Sequence, residues 1–155
     1  MAETYRLRYL RGKKLNVFLA VAQSIVPADG TDQGAGTLQS AGIADWAIAR
    51  LAPQLRKKLL VLLFLVNILG LFFGGRFFVN LSPEKRNRLL SWMESGPLGP
   101  FRMGFFGLKN YACMGYYSQE KTWKSIGYEG PLTPQVPYSD PAIRGLCNGS
   151  WEVTE

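Results

Sequence analysis

A chain of 155 residues, 47% apolar and 13% aromatic, is long enough for one domain with a sizeable core and too apolar for disorder along its whole length. Its 18 Lys and Arg against 11 Asp and Glu leave a net charge of +7, spread along the sequence rather than gathered in one run, which points to an acidic partner or surface more than to nucleic acid. There is no His, so the commonest general base and the commonest metal ligand are both missing.

The first residues, through Lys14, are basic, but Asn16, Gln23 and Ser24 interrupt the apolar run behind them. No Arg-Arg pair precedes that run and no small-residue cleavage site follows it, so a signal peptide is not expected. Leu15, Phe18, Leu19, Ala22 and Val26 recur at three-and-four spacing, which predicts one face of a first helix ending at Pro27. The stretch from Ala28 to Gly42 carries Gly30, Gly34 and Gly36 among polar residues and reads as a long flexible loop. No apolar β-run leads into these glycines, as a phosphate-binding turn requires. A helix is expected to resume with Asp45 as its N-cap, carrying Trp46, Ile48 and Leu51, and Pro53 suits the first turn of another.

From Leu59 to Gly75 there is no charged residue, and Gly74-Gly75 supplies the stop. Seventeen residues of helix span roughly 26 Å, short of the roughly 30 Å hydrocarbon core of a bilayer. Asn67 and Gly70 weaken the run further. Arg50, Arg56, Lys57 and Lys58 before it are matched by Arg76, Lys85, Arg86 and Arg88 after it, so charge gives no orientation. A central helix buried on all sides accounts for the run better than a span, and the basic ends leave a peripheral membrane contact open.

Ser82-Pro83-Glu84 is a strong helix start: a hydroxyl to cap, a proline at the first helical position and an acid at the positive end. Leu89, Leu90, Trp92 and Met93 would face inward and Lys85, Arg86 and Arg88 outward, until Gly96–Pro100 breaks the helix. The next helix is expected from Phe101 to Tyr117, with Phe101, Phe105, Leu108 and Ala112 along one stripe. Gly104, Gly107 and Gly115 lower its propensity by about 1 kcal/mol each, a cost that close approach of another backbone would justify. Ser118 is placed to cap a short helix that Gly127 ends, and Pro134, Pro137 and Pro141 predict an extended tail. The expected fold is therefore mainly α: a small irregular helical domain over 1–131 with a buried central helix, followed by an extended Pro-containing tail over 132–155.

The residues offer little for catalysis. A Ser, Cys or Thr nucleophile has no His beside it, and no lysine stands out as a desolvated base. The carboxylates are scattered, with Asp29 and Asp32 in the loop and Glu84 at a helix start. Cys113 and Cys147 are too few for a four-cysteine metal or cluster site; they are either two small thiols or one disulfide, and nothing argues for an oxidising compartment. Most aromatics follow helical core spacing rather than alternating with basic residues, which disfavours nucleic-acid stacking. No catalytic, cofactor-binding or metal-binding residue is assigned.

The stretch from Leu15 to Pro131 resembles the gluconate 2-dehydrogenase subunit-3-like family. The resemblance rests on Phe18–Pro27, the Gly-rich loop, Asp45-Trp46 with the apolar helix after it, Gly75–Glu84, Leu108-Lys109 and Tyr116-Tyr117-Ser118. Trp123-Lys124-Ser125-Ile126-Gly127-Tyr128-Glu129-Gly130-Pro131 is its most specific element, because that spacing serves no generic helical purpose. It implies a non-catalytic small subunit that packs on a large FAD-dependent dehydrogenase of the glucose–methanol–choline type and supports its folding, flavin retention or electron-acceptor coupling. FAD would lie in that partner, and an electron-transfer subunit or a peripheral membrane contact could complete the complex. Family members often carry a twin-arginine export signal; its absence from Met1–Lys14 shifts the expectation to a cytoplasmic complex, peripheral at the inner membrane if membrane-bound. The alternative is a membrane-associated or single-span anchor subunit of another redox complex. Tyr116, Tyr117, Trp123, Tyr128 and Pro131 are the expected partner interface, since Trp and Tyr dominate binding energy and Gly127 and Gly130-Pro131 would fix their backbone.

Overall fold

The computed structural model describes residues 3–30, 32–130 and 140–155. In chain order it contains β1 (Glu3–Arg6), α1 (Lys13–Ile25), α2 (Leu38–Ile48), α3 (Pro53–Gly74), a 3₁₀ turn at Phe78–Asn80, α4 (Pro83–Ser95), α5 (Gly99–Tyr117), α6 (Glu120–Ser125), α7 (Pro141–Asn148) and β2 (Trp151–Thr154). The protein is mainly α, as its periodicity predicts.

α1 and α5 begin and end within a few residues of the positions their apolar spacing predicts. α3 starts on Pro53 and stops at Gly75, whose left-handed backbone (φ 71°) closes the last turn. α4 begins on Pro83 with Ser82 at the N-cap, but the Ser82 hydroxyl makes no capping bond. Its inner face is Leu89, Leu90 and Met93, with Trp92 half-buried between the rings of Phe73 and Phe101. Arg86 departs from the expected outward face. Its guanidinium turns back to donate to the carbonyls of Phe78 and Val79, at 3.2 and 2.6 Å, and so ties the 3₁₀ turn to α4.

α5 holds the domain together, packing on α1, α2, α3, α4 and α6. Phe105, Leu108, Ala112 and Tyr116 form its buried stripe. A Cβ on Gly115 would lie 2.4 Å from the carbonyl oxygen of Ser40, so the glycine lets α2 and α5 touch backbone to backbone. Gln119 adds to this joint, its Nε2 donating to Ser40 Oγ at 3.0 Å.

Three expectations are corrected. First, the segment before Asp45 is not a long flexible loop. α2 starts at Leu38, where the Thr37 hydroxyl accepts from the Ser40 amide, and Asp45 lies inside the helix rather than at its cap. Residues 32–37 are pinned as well: Tyr116 donates to Asp32 at 2.7 Å, and the Gly36 amide donates to Gln23 Oε1 at 3.0 Å. Second, α3 is not buried all round. It buries the stripe Leu59, Leu63, Val66 and Gly70 and leaves its opposite face open. Third, the part of the tail from Asp140 onward is a helix and a paired strand folded onto the domain, not an unpaired extended tail. Pro141 occupies the first turn of α7 rather than breaking structure, because Asp140 caps it by accepting from the Ala142 amide at 2.9 Å. Trp46 Nε1 also donates to Asp140 at 2.8 Å, and Arg50 pairs with the same carboxylate. Ile143, Leu146 and Cys147 are buried, and β2 pairs in parallel with β1, Tyr5 opposite Val153. Neither Cys113 nor Cys147 forms a disulfide. The remainder of the expected tail, through Ser139, lies outside the described residues.

Asp45 is fully buried and its carboxylate accepts four hydrogen bonds. The amides of Arg8, Tyr9 and Leu10 donate at 2.8, 2.8 and 2.7 Å, and the Tyr5 hydroxyl donates at 3.2 Å. Burial and the adjoining carboxylate raise the Tyr5 hydroxyl far above the ordinary tyrosine range, so it stays a donor at any physiological pH. This knot binds the N-terminal segment to α2 and carries Leu7 and Leu10, both fully buried, into the core.

Asp45→Ala leaves three amides, one of them buried and two part-buried, without their acceptor and should lower stability by about 3 kcal/mol in urea melts, while Asp45→Asn, which keeps one acceptor oxygen, should cost less. Deleting residues 140–155 uncovers Leu7 and the α2 face under Leu146, and should lower the melting temperature and give a less cooperative transition. For the intact chain, the Trp46 hydrogen bond and the Arg50 charge hold the Asp140 carboxyl below its ordinary 3.8. Tail docking should therefore persist down to that pH and loosen only as the pH falls further, through the lowered value, read by hydrogen exchange in α7.

Candidate docking surfaces

Among the described residues, no group of three or more His, Cys, Asp or Glu is placed to hold a metal ion. The buried polar side chains Ser40, Asp45, Gln119 and Thr122 all serve joints between elements. The features that ask for an explanation are two exposed apolar surfaces.

The first lies where α5 ends. Tyr117, Ile126 and Tyr128 are 44%, 54% and 46% exposed. They sit on a frame built from local bonds. Trp123 Nε1 donates to the Tyr117 carbonyl at 2.8 Å, and the Tyr128 amide donates to the Trp123 carbonyl at 2.9 Å. The Trp123 and Tyr128 rings meet edge to face at 5.4 Å, and Gly127 supplies the positive φ that returns the chain over α6. The predicted interface residues are thus brought together, with one difference of role. Tyr116 is buried, with its hydroxyl bound to Asp32, and it braces Tyr117 from inside at a ring distance of 4.9 Å. Burial and that carboxylate push its hydroxyl well above the usual tyrosine range. Pro131 lies outside the described residues. Ile126, absent from the predicted set, joins the surface because α6 is too short to cover it.

The second surface is the outer face of α3. Val61, Phe64, Leu65, Leu71 and Phe72 are exposed along it, Phe72 at 81% and Phe64 at 60%. A groove of about 610 Å³ runs beside this ridge toward α1, lined by Lys13, Lys14, Phe64, Ile68 and Phe77. At Gly104, where a Cβ would meet the Leu62 side chain at 2.7 Å, α3 and α5 touch, and Met103 stands exposed next to that contact. The polar interruptions of the apolar run lie elsewhere. Gly70 makes room for the backbone of residues 76–78, and Asn67 faces the Val79 amide at 3.5 Å. A sequence signal for this open face did exist: Lys57 stands one turn before Val61, and both Lys57 and Lys58 stand two turns before Leu65 on the same stripe, so burial all round would have taken two ammonium groups inside.

The two surfaces are separate. Gly104 and Tyr117 are thirteen residues apart on one helix, about 20 Å along its axis. Comparison with protein-family models, with curated proteins and with solved structures finds no match to this chain.

Proposed function

We propose that this chain is a non-catalytic accessory subunit that binds a large FAD-dependent dehydrogenase of the glucose–methanol–choline type through Tyr117, Trp123, Ile126 and Tyr128. The observation that carries the docking half of this reading is the exposed aromatic group at the end of α5, fixed by its own hydrogen bonds before any partner arrives. A rigid, half-exposed set of Trp and Tyr is the composition of an interface anchor, and pre-organisation lowers the entropy lost on docking. The kind of partner rests on the Trp123–Pro131 motif and the elements before it, which resemble those of small subunits of such enzymes. On this reading the flavin and the redox chemistry belong to the partner, and this chain supports its folding, flavin retention or access to an electron acceptor.

The test is co-expression with a large FAD-dependent dehydrogenase chain of the glucose–methanol–choline type, reading complex formation by size exclusion and bound flavin by absorbance. The wild type should co-purify and raise the flavin content of the large chain. Tyr128→Ala and Trp123→Ala should each weaken association by about 2 kcal/mol or more with helicity retained. A large chain that holds its full flavin and never co-purifies, or variants that bind as tightly as wild type, would sink the reading.

A further inference from the structure

We infer that the outer face of α3 is a peripheral docking surface for anionic lipid, with the helix lying in the plane of the membrane interface. The face runs from Val61 to Phe72, about 17 Å along the helix, and Val61, Phe64, Leu65, Ile68, Leu71 and Phe72 occupy it in succession. None of these side chains can make a hydrogen bond. A protein interface of any size normally includes such bonds, roughly one per 100–200 Å², whereas the acyl region of a bilayer offers none and asks for none. The face lies along one side of a single helix whose other side, through Leu59, Leu63 and Val66, stays on the protein, the arrangement of a helix that sinks one side into lipid.

Charge narrows the occupant further. Lys13, Lys14, Arg56, Lys57 and Lys58 border the three grooves that flank the ridge, and no acidic side chain lines any of them. Arg76 is exposed just past the far end of α3. The chain holds no Asp or Glu from Trp46 to Pro83, nor from Thr4 to Ala28, the segments that contain α3 and α1, and the acids of α4, Glu84 and Glu94, line none of the three grooves. An apolar strip with a rim of one sign fits a surface whose headgroups are negative, and it opposes a second copy, whose own cationic rim would face it. Spanning is a different matter. α3 is also packed on α1, α4, α5 and the 3₁₀ turn, and crossing the bilayer would strip Leu59, Leu63 and Val66 from that core.

The proposal is independent of the flavoprotein reading, because its test needs only this chain. The full chain is synthesised in a cell-free reaction in the presence of vesicles and then floated on a density gradient, where bound chain rises and aggregate sinks. Vesicles of equal parts phosphatidylcholine and phosphatidylglycerol should carry the chain upward, and pure phosphatidylcholine should carry at least about tenfold less. Lys57→Glu with Lys58→Glu should reduce flotation about tenfold or more, as should Phe64→Ser with Phe72→Ser, whose exposed rings can be removed with helicity unchanged. Equal flotation on both lipids, or variants that float like the wild type, would overturn the proposal. Retention after alkaline carbonate would replace it with a span. Failure to float, combined with a dimer or a complex with the large chain that Phe64→Ser with Phe72→Ser abolishes, would reassign the face to a protein interface.

Discussion

The buried carboxylate of Asp45 is the constraint on which the two ends of the chain depend. An unpaired carboxylate in this position would be prohibitive, and the three consecutive amides of Arg8, Tyr9 and Leu10 together with the Tyr5 hydroxyl compensate it. In return, the anion fixes a segment with no helix of its own against α2. That fixed segment presents β1 as an edge, and β2 pairs with it from the far end of the sequence. The same helix, with Arg50 just past its end, then holds α7: Trp46 and Arg50 meet at Asp140 and stack at 3.6 Å on each other. One face of α2 thus gathers residues more than ninety positions apart, and its small residues Ala41, Gly42 and Ala44 let the neighbours come close enough to do so.

The remaining helices divide the work between core and surface. α5 is the shared wall, with its buried stripe on α1, α2 and α4, while its two ends lead to the two exposed surfaces. At the N-terminal half it touches α3 through the Leu62–Gly104 contact, and beyond its last turn it leads into the aromatic group around Trp123. One helix thus separates an aromatic surface with hydrogen-bonding capacity from an aliphatic and phenyl ridge that has none. The difference in chemistry matters more than the distance: the first surface carries hydroxyl and indole groups, and the second only aliphatic and phenyl side chains.

How far the residues alone disclosed this varies with the range of the interactions involved. Local signals worked well. Three-and-four spacing located α1 and α5, Pro53 and Pro83 opened α3 and α4, and the Gly75 stop closed α3, since each depends on neighbours within a turn or two. The aromatic group at Trp123 was legible for a similar reason, as its bonds join residues no more than six apart. Asp45 misled because an acid before an apolar run is ordinarily a cap, and only the arrival of Tyr5 and three amides from residues 5–10 makes an interior position tolerable. Pro141 misled in the same way, as prolines in series usually mark extended chain unless a residue such as Asp140 caps the turn.

The sequence by itself determined the helical class, the starts and stops of its longer helices, the poverty of catalytic groups and the clustering of aromatics after Tyr116. Tertiary structure decided which side of the uncharged run faces the core, that the C-terminal residues close a parallel pair with the N-terminal ones, and that α5 rather than α3 is the shared wall. The reason is physical. Backbone propensity and capping are settled within a few residues, whereas burial of an apolar face depends on what else packs over it, and here the outer side of α3 is left exposed among the described residues.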